Sequence, residues 1–347
     1  MGFLQLKTGI KKEQETLLLL NEIQYSKNIV EQLCKLSLSY PHIRIIATTS
    51  GMDFQDHALS AEHQQRIEKI TITPYRFTEY LAYHGMQFDT IMKEERSPAL
   101  HTTLLPYFES YLKRGSFPRV IEATSELDKI NALKYIMKKY IDTDARFWFS
   151  GDFLITCEKA IGPLHSMTDQ LLKPISLAKI LKLSPYNTKK IVAFFLNTHC
   201  FVIVPCYEDS QDLKNTLHGH ETIYSIDTGL LHHYIPFAIS TNIYYKTFVI
   251  NELLRYRGKT HTITSYRKRN GTEIDFLATD IHGNITVLLC EEKNTGHIPR
   301  RLQTLPSHIL EKSKKIIICT PTVFQTTDFH EIPLQFVPYY WLPQVLS

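Results

Sequence analysis

Several features that would classify this chain at once are missing from its 347 residues. The six cysteines are scattered and none forms a CxxC pair, so neither a zinc knuckle nor a disulfide framework is expected. No apolar run approaches the roughly 18 to 20 residues that a bilayer-spanning helix needs. The N-terminus does not have the pattern of a secretory signal. We therefore expect a cytoplasmic protein that has no membrane partner.

The composition is that of a globular chain with a mild positive charge. Hydrophobic residues make up 43% and charged residues 21%, which excludes a disordered tail and a collagen-like repeat. The length is sufficient for two or three domains that each bury a core. The formal net charge of +4 permits binding to nucleic acid but does not require it.

Two apolar runs near the N-terminus predict neighbouring strands of a parallel sheet. Residues 15–24 read ETLLLLNEIQ, which is typical of a strand buried on both faces. A helical stretch over residues 27–36 follows, and a second apolar run covers residues 44–47. A strand, a helix and a strand in this order indicate a nucleotide-binding α/β fold.

Polar residues follow both predicted strands, where open α/β sheets bind ligands. They are Asn21 and Glu22 after the first run and Thr48 to Ser50 after the second. A P-loop ATPase uses an aspartate here to hold magnesium and a glutamate to orient water, and Asn21 is an amide. The chain also has no GxxxxGK[ST] loop to hold a triphosphate, so we expect no ATP hydrolysis by this chain alone. The alternative is a core strand with a polar end.

The middle of the chain predicts helices over residues 89–160 and then a compact basic unit. Residues 174–207 read as a helix, a turn, a second helix and a β stretch, a pattern typical of a winged helix-turn-helix. Five lysines and no acidic residue lie between Lys173 and Cys206. The second helix carries near its N-terminus, where recognition helices meet DNA, Tyr186, Asn187, Lys189 and Lys190. The alternative is a packing domain with solvated lysines.

The C-terminal part predicts a helix, a three-strand meander, a helix and a fourth strand. The predicted ranges are 244–257 for the first helix, 262–268, 272–280 and 285–293 for the meander, 299–311 for the second helix and 314–320 for the last strand. A hairpin turn at residues 269–271 separates the first two strands of the meander.

Two carboxylates on adjacent predicted strands of this part indicate a metal site. Asp275 and Glu291 lie on either side of one hairpin and would supply hard oxygen ligands to magnesium. Lys293 would share the face of Glu291, because side chains alternate along a strand, and could hold the attacking water. Glu252 of the preceding helix could complete the cluster. Such a metal polarises a phosphodiester and activates water.

A basic stretch surrounds this candidate metal site. Six basic residues and no acid lie between Glu252 and Glu273, which suits a phosphate backbone. Those that we expect to contact nucleic acid are Arg255, Arg257, Arg267, Lys268 and Arg269.

Short elements along most of the chain resemble a prokaryotic family of AAA+ superfamily ATPases that carry a C-terminal domain of unknown function. The elements are ITPYRFTEYL (72–81), YLKRGSFPRV (111–120) and IYSIDTGLL (223–231). By this resemblance LLLLNEIQ is the Walker B strand and IIATTSG the sensor strand. Asn21, Glu22, Thr48, Ser50 and Arg66 would then line a degenerate nucleotide site. The resemblance also implies that the N-terminus is truncated before the phosphate loop.

The C-terminal part resembles the restriction-endonuclease-like PD-(D/E)XK superfamily. That resemblance implies catalytic roles for Glu252, Asp275, Glu291 and Lys293, with magnesium at Asp275 and Glu291. The ATPase family usually retains such residues without an assigned nuclease reaction. Its first C-terminal helix usually carries a Glu-Asn pair early, where this chain has Lys246-Thr247.

Taken together, the sequence predicts an α/β protein with four parts. They are a partial AAA+ core (1–85), a helical segment (86–160), a winged-helix-like domain (161–235) and a nuclease-like domain (236–347). We expect a protein that binds DNA or a protein partner and cannot hydrolyse ATP alone. The alternatives are a magnesium-dependent DNA endonuclease and an inactive remnant of an ATPase gene. The sequence leaves the oligomeric state open.

Overall fold

The chain is a mixed α/β protein. The computed structural model describes residues 15–26, 28–50, 65–87, 91, 98–208, 220–236, 240–254 and 261–346. The helices are α1 (Ile29–Ser39), α2 (Phe77–Tyr83), α3 (Pro98–Arg114), α4 (Pro118–Ile121), α5 (Glu126–Lys139), α6 (Asp152–Ser166), α7 (Pro174–Leu181), α8 (Pro185–Asn197), α9 (Thr228–Tyr234), α10 (Asn242–Leu253), α11 (Ser307–Lys312) and α12 (Leu342–Leu346). Within these ranges, no helix is both long and apolar enough to cross a bilayer.

The strands of the described part of the chain belong to three sheets. They are β1 (Thr16–Leu20), β2 (Ile43–Ala47), β3 (Gln170–Leu171), β4 (Phe201–Pro205), β5 (Glu221–Ser225), β6 (His261–Arg267), β7 (Glu273–Asp280), β8 (Ile285–Cys290), β9 (Ser313–Thr320), β10 (Gln325–Phe329) and β11 (Ile332–Pro338). Shorter helical segments are the 3-10 turns Ile23–Tyr25, Arg300–Thr304 and Tyr339–Trp341, the π-helical turn Tyr140–Ala145 and the turn Arg146–Trp148.

The N-terminal sheet consists of β1 and β2 in parallel register, joined through α1. The parallel pairing agrees with the prediction, but the expected burial on both faces was wrong. Leu17 and Leu19 of β1 are 56% and 66% exposed, and Ile46 of β2 is 55% exposed on the same face. Among the described residues this face of the sheet has no covering layer, because no helix packs there as in larger parallel sheets.

The middle of the chain is a helical layer that packs on the small sheet β3-β5-β4, in which neighbouring strands are antiparallel. Ser184 caps α8, since its Oγ accepts a hydrogen bond from the Asn187 backbone N–H, and Pro185 occupies the first helical position. Lys182 ends α7 in the left-handed conformation with φ 54°. The turn between α7 and α8 is therefore short and defined, as the sequence predicts.

The C-terminal sheet has six strands in the order β10-β11-β9-β8-β7-β6. The meander β6-β7-β8 is antiparallel, whereas β8, β9 and β11 run parallel. The third strand ends at Cys290 and not at Lys293, and the predicted helix over 299–311 is divided into a 3-10 turn and α11 around Pro306. Proline has no N–H to donate and disfavours helix in the residue before it, which explains the break.

Two apolar cores cover the two faces of the C-terminal sheet. One contains Phe77, Phe108 and Phe248, and so joins α2 and α3 to α10 and the sheet. The other contains Leu302 and Ile309, which cover the opposite face. Helix α10 lies between the sheet and the helical layer, so its residues from Lys246 to Leu253 are almost all buried.

A buried aspartate joins the end of α3 to the start of α9. Asp227 caps α9 by accepting a hydrogen bond from the Leu230 N–H at 2.9 Å, and it accepts another from the Ser116 N–H at 2.8 Å. Burial raises the pKa of Asp227 to about 6, although these donors oppose the shift. The backbone of Gly229 lies against the Arg114 carbonyl so closely that a Cβ would overlap it. Glycine is therefore required at this contact.

Replacing Gly229 by alanine should destabilise the protein, because the Arg114 carbonyl belongs to the backbone and cannot rotate away. We expect a loss of about 3 kcal/mol in the free energy of unfolding, measured by urea denaturation. The matched control is Gly162→Ala in α6, where the nearest atom to the new Cβ is Tyr234 Cδ1 at 4.0 Å. That variant should gain up to about 1 kcal/mol from helix propensity. Equal behaviour of the two variants would contradict the close contact.

A second buried ionisable group, His165 at the end of α6, lies in an apolar site. Its ring stacks on Tyr234 with centroids 4.8 Å apart and contacts Phe201 at 4.6 Å. Neither ring nitrogen has a hydrogen-bond partner among the described residues. Burial, with a smaller effect from His233, lowers the pKa of His165 to about 3. The imidazole is therefore neutral in the folded protein at physiological pH.

Acid should destabilise the wild type partly through His165. The unfolded imidazole takes up a proton near pH 6.5 and the folded one does not, so unfolding becomes easier as the pH falls below 6.5, by roughly 1.4 kcal/mol per pH unit. In His165→Phe this part of the pH dependence should be absent in urea denaturation at pH 7.5, 5.5 and 4.5. The control is His297→Phe, which changes an exposed ring and should keep the pH dependence of the wild type. If the stability difference between His165→Phe and wild type does not change with pH, His165 does not resist protonation.

Candidate functional site

The polar residues at the ends of β1 and β2 meet, as their position after parallel strands predicts. The Thr48 hydroxyl donates to Asn21 Oδ1 at 2.6 Å and accepts a hydrogen bond from the Glu22 N–H at 3.3 Å. Gln24 Nε2 donates to Ser50 Oγ at 2.9 Å and also to Glu22 Oε2. These side chains are therefore used in hydrogen bonds to one another.

Asp144, which the sequence pattern favours as the end of a surface helix, completes this hydrogen-bond network. Ser50 donates its hydroxyl proton to Asp144 Oδ1 at 2.7 Å, which joins the sheet to the π-helical turn. Burial raises the pKa of Asp144, opposed by the Ser50 hydrogen bond. Arg66, by contrast, is exposed, and its charge acts on the Cys34 thiol of α1, where it opposes the rise in pKa caused by burial. None of the contacts described for the strand ends includes Arg66.

The most enclosed carboxylate of the C-terminal part is Asp275, in the middle of β7. Its side chain has no solvent exposure. Oδ2 accepts a hydrogen bond from the Cys290 N–H at 2.8 Å and lies 2.8 Å from Arg301 Nη1. Oδ1 lies 2.9 Å from Lys246 Nζ. Burial raises the pKa of Asp275, but Lys246 and Arg301 outweigh it and hold the pKa below its usual value.

Arg301 connects Asp275 to the second predicted ligand, Glu291. Its Nη2 lies 2.7 Å from Glu291 Oε1 and donates to the Cys290 carbonyl at 2.8 Å. Burial lowers the pKa of the Arg301 guanidinium. The negative charges of Asp275 and Glu291 have the larger combined effect and raise this pKa above its usual value. The two carboxylates are thus neighbours, as their spacing predicts, and the guanidinium lies between them.

Lys293 and Glu252 lie in other surroundings. Because β8 ends at Cys290, the alternation that would direct Lys293 toward the face of Glu291 does not apply, and Lys293 is exposed in a loop. Glu252 is buried, and its Oε1 accepts a hydrogen bond from the Phe77 N–H at 3.1 Å. This contact places Glu252 at the first turn of α2, where a carboxylate suits the positive end of the helix.

The basic residues expected around Asp275 have mixed positions. Arg267 Nη1 is 2.9 Å from Glu273 Oε2, and its Nη2 is 3.9 Å from Asp169 Oδ1, so its charge is engaged within the protein. Lys268 and Arg269 lie in the hairpin turn between β6 and β7, half-buried and exposed respectively. Two further predictions, Arg255 and Arg257, fall outside the described residues.

The residues predicted to meet DNA lie at the N-terminal half of α8. Tyr186, Lys189 and Lys190 are exposed, and Asn187 is half-buried at the edge of the same surface. Lys190 Nζ lies 4.6 Å from the centroid of the Tyr186 ring, a cation–π contact within one helical turn. The other side of α8 faces the core through Ile191 and Phe195.

Magnesium does not fit the carboxylates of the C-terminal part as they are arranged. Mg²⁺ requires near-octahedral oxygen ligands at about 2.0–2.1 Å. Both oxygens of Asp275 already contact cationic groups, and Arg301 occupies the space between Asp275 and Glu291. Among the described residues, no group of three or more His, Cys, Asp and Glu side chains is arranged to hold a metal ion. The implied metal would have to displace an arginine next to a buried lysine.

Sequence reasoning missed the two cations that dominate this site, Lys246 and Arg301. A signal for Lys246 was present, since it is the one charged residue between Asn242 and Asn251 of an otherwise apolar stretch of helix. A lysine in such a helix must find buried partners. Arg301 had no comparable signal, because it follows Arg300 in an ordinary basic pair.

Comparison with known proteins adds one finding. Residues 105–240 match a family model described as a domain of unknown function (DUF8612). The match covers most of α3 and the helical layer with its small sheet, which is less than half of the chain. No curated protein and no solved structure matches the chain.

Replacing Arg301 should destabilise the protein much more than neutralising Glu291, the second carboxylate that Arg301 contacts. In Arg301→Met, Asp275 stays buried with one cation fewer, and we expect a loss of about 3–5 kcal/mol. In Glu291→Gln, a side chain that is 24% exposed loses its charge, and the loss should be about 1 kcal/mol or less. Urea denaturation at pH 7 measures both. Equal losses would show that the burial of Asp275 does not set the cost.

Proposed function

We propose that this chain binds DNA through the exposed face of α8. The observation that carries the proposal is the arrangement of Tyr186, Lys189, Lys190 and Ala193. They follow the i, i+3, i+4, i+7 spacing of a single helix face, and all four are exposed. Tyr186 is 67% exposed, compared with 43–49% for the other exposed aromatic side chains of the described residues. Ala193 has a small side chain, so the helix backbone can approach a groove closely there.

The charge of this surface supports DNA as the partner. All five lysines between Lys173 and Cys206 are exposed, and no acidic residue interrupts that stretch. Exposed lysines attract a polyanion and release its counterions. The tyrosine ring adds a surface for contact with sugar or bases. In the alternative, a solvated packing surface, the Tyr186 ring would serve only to contact Lys190.

The order of elements supports a winged helix-turn-helix interpretation of residues 161–235. Helix α6 is followed by β3, α7, α8, β4 and β5, and β3 pairs with β5. In helix-turn-helix proteins the second helix of the pair enters the major groove with its N-terminal residues. Here that helix is α8, and the hairpin of β4 and β5 is the wing.

In this proposal the remaining parts of the chain have supporting roles. The strand ends of β1 and β2 hold a hydrogen-bonded network, and the sequence has no phosphate loop, so no ATP hydrolysis is assigned to the chain alone. Magnesium-dependent cleavage at Asp275 is not favoured, because Lys246 and Arg301 occupy the carboxylate oxygens. Membership of the AAA+ and nuclease-like families rests on the sequence resemblance.

Reversing two charges on the exposed face of α8 should weaken DNA binding. We expect Lys189→Glu/Lys190→Glu to lower the affinity for a double-stranded oligonucleotide at least about tenfold at low salt. The slope of log K against log salt should fall by about 2, since two phosphate contacts are lost. Fluorescence anisotropy at several salt concentrations measures both quantities.

The matched control is Lys312→Glu/Lys314→Glu, which changes the net charge equally at exposed lysines of α11 and β9. This variant should retain most of the affinity and nearly the full salt slope. If both double variants weaken binding equally, the net charge and not α8 is responsible. If neither does, α8 is not a DNA-binding surface.

A further inference from the structure

One buried lysine lies at the centre of a group of carboxylates. The side chain of Lys246 on α10 is only 4% exposed. Its Nζ lies 2.9 Å from Asp169 Oδ2, 2.7 Å from Glu273 Oε1 and 2.9 Å from Asp275 Oδ1. It donates hydrogen bonds to Asp169 and Glu273, while the contact with Asp275 is an ion pair. Three acidic side chains, two from β7 and one from the turn before β3, therefore converge on one ammonium.

Each of these carboxylates also has a second cation. Glu273 and Asp169 contact Arg267, and Asp275 contacts Arg301. The positive and negative groups thus alternate through the cluster, and no carboxylate of the three depends on Lys246 alone. Lys246 is nevertheless the group that all three share. Without it, three negative charges would face one another, and one of them, Asp275, has no solvent exposure.

The distances of 2.7–2.9 Å from Nζ are hydrogen-bond distances. They are longer than the roughly 2.3–2.6 Å of calcium–oxygen bonds, so the carboxylates are arranged for an ammonium.

We propose that Lys246 is the resident cation of this cluster and occupies the position that a divalent metal would need in order to contact Asp169, Glu273 and Asp275 together. The wild-type chain then binds no divalent cation at Asp275, and the position accepts one only when the ammonium is removed. This inference is independent of DNA binding by α8, and its test uses no DNA.

The cluster also joins two parts of the chain. Asp169 lies in the turn between α6 and β3 with φ 65°, and it accepts a hydrogen bond from the Tyr224 hydroxyl at 2.8 Å. Glu273 and Asp275 belong to the C-terminal sheet. The ammonium of Lys246 therefore connects the small sheet that supports α8 to the six-stranded sheet.

The first experiment titrates the wild type with calcium chloride in a calorimeter and measures its melting temperature with and without calcium. We expect no one-to-one binding and no saturable change in the melting temperature. The controls are Glu273→Gln, which alters a half-buried carboxylate of the cluster, and Glu291→Gln, which alters the half-buried carboxylate that contacts Arg301. One-to-one calcium binding by the wild type that either variant abolishes would overturn the proposal.

Two substitutions at Lys246 distinguish the effect of losing its positive charge from the effect of opening a cavity. Lys246→Met keeps nearly the same length without the charge, and should melt about 10 °C lower than the wild type whether or not calcium is present. Lys246→Ala opens a cavity between the carboxylates, and calcium should raise its melting temperature by several degrees and saturably. The double variant Lys246→Ala/Glu273→Gln should lose most of this response.

Three results would contradict the proposal. A wild-type melting temperature for Lys246→Met would show that the cluster needs no cation. A melting temperature of Lys246→Ala that calcium does not change would show that the ammonium is not at a cation position. If Lys246→Ala does not fold alone, refolding with calcium decides: recovery of a cooperative melt supports the proposal, and failure with calcium overturns it.

Discussion

The burial of Asp275 is the constraint on which the C-terminal half of the structure depends. A carboxylate without solvent contact is stable as a charge only if cations and donors replace its water. Here Lys246, Arg301 and the Cys290 N–H take those places. Since each comes from a different element, the requirement of one side chain fixes how α10, the 3-10 turn after β8 and the β7–β8 pair lie together.

The same constraint changes what the site can do. A pair of carboxylates on neighbouring strands is typical of a metal centre, and Asp275 and Glu291 are neighbours as their spacing predicts. The chemistry of a carboxylate, however, depends on what lies between it and its neighbour. A guanidinium there supplies the positive charge that a metal would supply, but it offers no open position for water or phosphate. The arrangement favours a structural role, and it directs attention to the exposed lysines of α8.

In the N-terminal part, too, the polar groups of the candidate site already have partners within the protein. The position of the polar residues after two parallel strands predicts that they lie close together, and they do. Their hydrogen bonds run among Asn21, Thr48, Gln24 and Ser50 and end on Asp144. Each of these groups therefore has a partner inside the protein. The apolar residues on one face of the same two strands are exposed, because the described chain provides no layer over them.

Local pattern was sufficient to predict α7 and α8, the meander β6-β7-β8 and the hairpin turn at Gly271. These elements depend on neighbours in sequence: a capping serine, a proline at the first helical position, alternation, and a glycine that adopts φ 89°. The same local reasoning failed for the end of β8 and for the burial of β1, because a strand stops or is covered according to what packs beside it.

The sequence by itself determined the mixed α/β class, the order of most elements and the lysine-rich face of α8, since periodicity and composition are carried by residues close together in the chain. Only the tertiary structure decided the state of the carboxylates. Asp169, Lys246, Asp275 and Arg301 are far apart in sequence, and whether a charge meets water, a metal or another side chain depends on distances that folding alone creates. A single lysine in an otherwise apolar stretch of α10 becomes, in the fold, the centre of the ionic cluster.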